Sequence, residues 1–371
     1  MMRRFALSLL LLLLTAGCGS KMAGDFKDID KRFFVMAIGV DANGDRENGG
    51  KAYRVTIKLG IPSPRIEPGK SLFQLLTQDA DTITEAIRLL KSRVDKELDF
   101  GHMKTILLGR ELAEQDMREP LEWMFRRRDI QKIAYVAVGL PDAETILKTT
   151  PKSERLPANA LFLSFDQEGT ESTYIVTERL SDFRRRMREK GLDPYLPVIE
   201  TEGQNYRINR VALFDKRKMA AMLTPDETRV FHQLLRGVAK FPLHTKADHL
   251  IFSVNIQSYK RKFRFRPGPS GDPILKGSIK MEGIAEESNV RLFDKDWSRI
   301  EKEAERQSRL RTVALLEKLR NYRVDPLGFG LLYRATHYKG EPDWEDWLKL
   351  YPKLQFQVNV QLRLEGTGLI K

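Results

Sequence analysis

Cys18 is the only cysteine among 371 residues, so its thiol can enter neither an intramolecular disulfide nor a cysteine-built metal cluster. The five histidines are His102, His232, His244, His249 and His337, and no two of them have the i, i+4 spacing that sets two ring nitrogens on one metal ion. His244 and His249 come nearest, and with only Asp248 beside them they read as ordinary satisfied histidines. The chain has no Gly-x-Ser-x-Gly elbow, no complete Gly-x-x-x-x-Gly-Lys-Ser/Thr phosphate loop and no glycine-rich dinucleotide turn after a strand. Acidic residues are plentiful, and two carboxylates far apart in the chain could still meet on a glycan, which keeps a cell-wall enzyme open. The expectation from these residues is a protein that is not an enzyme, with no catalytic residue and no bound metal.

Other groups of residues invite a binding reading. Lys260, Lys262, Arg264 and Arg266 alternate with Arg261, Phe263 and Phe265, so an extended chain puts four cations on one face and two aromatic rings on the other. Such a face is a candidate patch for membrane phospholipid or an acidic partner, and the plainer reading is a solvated strand face over a packed one. Arg184, Arg185, Arg186, Arg188 and Lys190 form a second basic run, on a helical pattern, expected to be solvated. Asp325-Pro326-Leu327-Gly328-Phe329-Gly330 is a structural motif of another kind. Pro326 stops a helix, while Gly328 and Gly330 permit backbone angles or close approaches closed to other residues. A tight connection is the favoured reading there, and a binding loop is the alternative.

The chain opens on the basic residues Met1-Met2-Arg3-Arg4, and Phe5 to Leu14 are apolar or small. That run is about half of the roughly 20 residues needed to span a bilayer, so residues 1–17 read as a cleaved export signal. Thr15-Ala16-Gly17-Cys18 is similar to the lipobox of bacterial lipoproteins, with Thr15 where Leu is common. The resemblance implies cleavage between Gly17 and Cys18 and a diacylglyceryl group on the Cys18 thiol, with an N-acyl lipid as an optional addition; no other cofactor is implied. Two acyl chains, at about 0.8 kcal/mol per buried methylene, hold a protein on a bilayer without a transmembrane helix. The net charge is +13, and loss of Arg3 and Arg4 with the signal leaves +11. Export argues against nucleic acid as the reason for that charge and in favour of membrane phospholipid.

The elements that would position these groups alternate between strand and helix. Residues 18–30 suit a lipidated N-terminus and tether. Phe33 to Val40 reads as a buried strand, and Tyr53, Val55, Ile57 and Leu59 as a half-buried one. Thr82 and Glu85 make a capping box before a stripe of Ile83, Ile87, Leu90, Val94 and Leu98. Strands at Met103–Leu108 and Ile133–Leu140 flank a helix near Leu121–Arg128, and the proline-bearing stretch 151–157 suggests a boundary. A long helix over Trp297–Tyr322 presents Trp297, Ile300, Ala304, Leu315, Leu319 and Tyr322 on one stripe, with Glu305 and Arg309 paired outside. Leu354 to Leu364 then alternate strictly, which suits an antiparallel sheet with one wet face. The expected class is α+β and multi-domain, with about three mixed α/β domains behind the signal: 31–152, 153–235 and 236–371.

In order along the chain, these segments resemble the Ger(x)C family, the lipoprotein C subunits of nutrient germinant receptors in spore-forming bacteria. The carriers are the lipobox, then Phe33 to Asp41 ending in Gly-x-Asp, then Val211-Ala212-Leu213-Phe214 with Met222-Leu223-Thr224-Pro225-Asp226-Glu227-Thr228. The long helix follows, then Asp325 to Gly330, Trp344, Trp347 and a last strand closing at Gly366-Thr367-Gly368. The sequence departs from the pattern at Gly19-Ser20-Lys21, where Trp-Asp is frequent, and at Asn209-Arg210, where a Gly often opens the strand. The resemblance implies a non-enzymatic subunit on the outer face of the spore inner membrane, assembled with an A subunit and an integral-membrane B subunit in a nutrient-responsive complex. It leaves open whether this chain itself contacts the nutrient. A substrate-binding lipoprotein of a transporter and an exported cell-wall-active enzyme are the alternatives.

Overall fold

The computed structural model describes residues 31–43, 50–61, 73–151, 157–166, 172–237, 240–247, 250–268, 273–289, 297–337 and 342–366. Strands β1 (Arg32–Ala42), β2 (Tyr53–Gly60) and β3 (Phe73–Ala80) form an antiparallel meander. Strands β4 (Glu97–Asp99) and β5 (Thr105–Gly109) pair with β1 in parallel, and β6 (Tyr135–Leu140) and β7 (Tyr195–Glu202) continue the parallel run. Antiparallel β8 (Asn205–Phe214) and β9 (Met219–Met222) complete a nine-stranded sheet ordered β3-β2-β1-β5-β6-β7-β8-β9, with β4 beside β1. One sheet thus draws strands from both sides of the 151–157 stretch.

Both faces of this sheet are covered. Helices α1 (Ile83–Lys91), α2 (Arg110–Ala113), α3 (Arg118–Arg126) and α6 (Leu180–Arg188) pack on one face, and α4 (Ala143–Lys148) and α5 (Pro157–Asp166) on the other. Double coverage is why Phe33–Val40 and Tyr135–Leu140 are nearly continuous apolar runs. It also corrects the half-buried reading of β2, because Thr56 and Lys58 are only 0% and 1% exposed. The N-cap of α1 forms as expected, with the Glu85 N–H donating to Thr82 Oγ1 at 3.1 Å, although the Glu85 carboxylate accepts from Asp81 rather than from Thr82. The helix ends at Lys91, and Leu98 of the expected stripe belongs to β4.

The second sheet contains β10 (Phe241–Ala247), β11 (Leu250–Pro267), β12 (Pro273–Ser288) and β13 (Gln355–Gly366). The first three pair antiparallel, but β13 pairs with β12 in parallel, which corrects the antiparallel expectation for the last strand. The crossover carries α8 (Trp297–Asn321), α9 (Phe329–Thr336) and α10 (Pro342–Leu350). Glu305 does not pair with Arg309 on the exposed side; Glu305 and Glu301 accept the backbone N–H groups of Leu362 and Leu364 at 2.8 Å each, closing the free edge of β13. Tyr322, expected on the buried stripe, is 48% exposed beyond the end of α8.

One core fills this second unit. It joins β11–β13 and α8 to α7 (Pro225–Arg236) and to Tyr195, Val211 and Leu213 of the first sheet. Helix α7 begins with a complete capping box formed by Thr224 and Glu227. No described helix is long and apolar enough to cross a membrane.

Candidate functional site

The segment after α8 forms a joint between the two sheets. Asp325 is buried, and its carboxylate accepts the N–H groups of Gly328 (2.9 Å), Phe329 (3.0 Å) and Gly330 (2.6 Å), which holds the start of α9. Its own N–H donates to Asp193 Oδ2 at 2.6 Å, and the other Asp193 oxygen lies 3.0 Å from Lys216 Nζ. Lys216 also donates to the carbonyls of Arg186, Glu189 and Leu192 at the end of α6. Gly328 has φ +78°, and Gly330 approaches Gly191 so closely that a Cβ on Gly330 would stand 2.6 Å from the Gly191 Cα. Burial pushes the Asp325 carboxyl up to about 7, against the pull of its three N–H donors.

Arg186 belongs to this joint, which corrects the solvated reading at that one position of the run, while Arg185, Arg188 and Lys190 are exposed. Its Nε is 3.0 Å from Glu178, and its Nη1 donates to the carbonyls of Pro326 (3.0 Å) and Asp193 (3.1 Å). The guanidinium also lies over the Tyr195 ring, 4.5 Å from its centroid. Burial pushes Glu178 up to about 6, while Arg186 draws it down.

The basic strand lies where its alternation predicts. Lys260, Lys262, Arg264 and Arg266 are exposed on β11. On the opposite side Phe263 meets Phe329 edge-on at 5.2 Å and Phe265 meets Tyr333 at 5.4 Å. The aromatic side of the strand is therefore part of the same assembly that Asp325 organises.

Asp41 closes the Gly-x-Asp segment and has a role the sequence did not reveal. Its carboxylate accepts from Ala143 N at 2.7 Å and Glu144 N at 3.0 Å, so it caps α4 from a neighbouring strand. A Cβ at Gly39 would lie 2.9 Å from Ala143 Cβ, and one at Gly109 would lie within the Asp41 carboxylate. The C-terminal ends of β1 and β5, where open α/β sheets usually seat a ligand, are thus filled by α4 and its cap. Burial raises Asp41 to about 6 despite the two backbone donors.

A groove of about 960 Å³ runs between the start of α1 and the α2–α3 connection. Its charged rim holds two internal pairs, Arg118 with Asp116 and Arg126 with Glu122, both at 2.5 Å. Among the described residues no three His, Cys, Asp or Glu side chains converge to hold a metal ion. His244 bonds Ser253 Oγ at 2.7 Å and His232 bonds the Thr173 carbonyl at 3.0 Å, while His249 and Asp248 lie outside the described residues. Gly17 and Cys18 also lie outside them.

The fold and its surfaces define a multi-domain α+β protein built on a buried charged joint and an exposed basic sheet face. Residues 25–201 match the family model of the spore germination protein N-terminal domain, and residues 209–368 match that of the spore germination B3/GerAC-like C-terminal domain. The chain belongs to the Ger(x)C family of spore germination receptor subunits. It is 23% identical over 377 residues to spore germination protein GerQC of Bacillus cereus, covering 99% of each chain. It is 22% identical over 404 residues to spore germination protein KC of Bacillus subtilis, covering 100% of this chain and 97% of that one. The crystal structure of the GerBC protein shares the fold, with a TM-score of 0.58 and 16% identity over 92% of this chain and 100% of that one.

Proposed function

We propose that this chain is the lipid-anchored C subunit of a nutrient germinant receptor, held by acyl chains on Cys18 at the outer face of the spore inner membrane. It assembles there with an A subunit and an integral-membrane B subunit and acts in germination by binding rather than by catalysis. The observation that carries this reading is the ordered match of both family domains over residues 25–201 and 209–368, behind the lipobox-like Thr15 to Cys18. Glu178, Arg186, Asp193, Lys216 and Asp325 support it, because these charges engage one another in the joint, which suits a structural role. The test is affinity purification of the tagged chain from spore membranes of the parent organism. The expected companions are an A and a B subunit; recovery with a transporter permease instead would reject the receptor assignment, and hydrolysis of wall glycan by the purified chain would reject the non-enzymatic one.

A further inference from the structure

The cations of β11 do not stand alone. The antiparallel register sets Lys280 opposite Lys260 and Lys276 opposite Arg264 on the same face. The parallel register with β13 adds Gln357, Asn359 and Gln361, and places Arg363 beside Glu282 at the margin. Lys276, Lys280 and Arg363 are exposed like the four cations of β11, and no ion pair engages any of these seven among the described residues. On the first sheet, by contrast, Arg54 pairs with Asp79 and Arg207 with Glu200 across neighbouring strands. Residues two apart on a strand stand about 7 Å apart and neighbouring strands about 5 Å, so each charge lies within one Debye length of its nearest neighbours and their fields add.

The hairpin cannot turn this face inward. Phe263 and Phe265 are wedged against Phe329 and Tyr333, and Phe263 lies so close over Gly277 that a Cβ there would meet its ring at 2.6 Å. The exposed face itself offers lysine, arginine, glutamine and asparagine with no exposed aromatic ring. Protein interfaces are depleted of lysine and enriched in aromatic anchors, so this composition is a poor protein-docking core. None of these seven cations lines either of the two described cavities. Charge spread over a sheet face suits a partner whose own charge is spread over a plane.

We infer that this face of the second sheet lies against anionic phospholipid headgroups and sets the orientation of the protein on the bilayer. The inference rests on the membrane anchoring proposed above. Each such cation near an anionic leaflet is worth about fivefold in partitioning, so the array governs orientation at low salt and is weakened by added salt.

The test uses the lipidated full chain mixed with vesicles of phosphatidylcholine alone or with phosphatidylglycerol added. Amine labelling is read by mass spectrometry at Lys260, Lys262, Lys276 and Lys280, with exposed Lys91 on α1 as reference. The expected result is labelling slowed roughly fivefold at the four lysines on anionic vesicles only, reversing as salt rises. Lys260→Gln with Lys262→Gln, both at exposed positions, should reduce the protection of Lys276 and Lys280. Equal labelling on both membranes by an anchored chain would overturn the docking face while leaving the anchor intact. Binding and protection on anionic vesicles alone, with none of the chain on neutral ones, would support the face and count against the anchor. Protection seen only in native spore membranes would assign the face to a protein partner and overturn the lipid reading.

Discussion

Replacing Gly330 with alanine should loosen the joint between the two sheets. The new Cβ would stand 2.6 Å from Gly191 Cα and 2.7 Å from Trp347 Nε1, whereas non-bonded carbons normally keep about 3.5–4.0 Å. On the first side the obstacle is backbone, tied by the Leu331 N–H to the Gly191 carbonyl at 3.1 Å. On the other it is an indole only 2% exposed, stacked on Tyr351 at 4.9 Å. Neither can swing aside, so the chains must part by about 1 Å, and overpacking of this kind costs about 1–3 kcal/mol. Alanine's better helix propensity returns up to about 1 kcal/mol, which leaves a net loss of about 1–2 kcal/mol. Gly203→Ala is the control: at φ +61° with nothing within 4 Å, it bears only the left-handed backbone cost of about 1 kcal/mol. Urea unfolding followed by tryptophan fluorescence reports on both, with Trp347 at the joint itself. If Gly330→Ala loses no more stability than Gly203→Ala, the joint is not close-packed as described.

Gly328→Val should cost about 1–3 kcal/mol in the same assay, because φ is +78° and a Cβ would lie 3.1 Å from Leu192 Cδ1. Arg186→Met leaves Glu178, 3% exposed, without its counter-charge and should cost about 3–5 kcal/mol, part of which Glu178→Gln in the same chain restores. Asp41 gives a pH signature: its carboxyl is raised to about 6, so between the ordinary carboxylate value and about 6 the folded chain holds a proton that the unfolded chain releases. Stability should fall by up to about 3 kcal/mol as pH rises through that window, and Asp41→Asn should flatten the slope; an unchanged slope in that variant would place the titration elsewhere.

Local patterns were readable where one face of an element decides its sequence. The alternation of β13, the apolar run of β1 and the capping residue Thr82 all stand where periodicity and cap chemistry put them. Lys58 and Arg186 were not readable, because a buried cation looks like a solvated one until its partners are known. Those partners are the carbonyls of Leu147 and Thr149 for Lys58, and Glu178 and Pro326 for Arg186. Sheet continuity was equally hidden, since β7 joins β6 through only Val138 to Leu140 after a crossover of more than fifty residues. The basic face was half legible: alternation along β11 exposed four cations, but the contribution of Lys276 and Lys280 depends on register. Asp41 was visible as a motif residue, yet its partner α4 is about a hundred residues away.

The claim that this chain is a lipid-held receptor subunit is tested most directly through Cys18, the sole thiol. Cys18→Ala should fold normally, since residues 18–30 are read as a tether outside the packed cores. Membrane fractionation of the variant in a strain lacking the other subunits should find it in the soluble fraction, increasingly so as salt screens its basic surface. In a complete strain the same variant should impair nutrient-triggered germination. Salt-resistant membrane association without the other subunits, together with normal germination, would contradict the account.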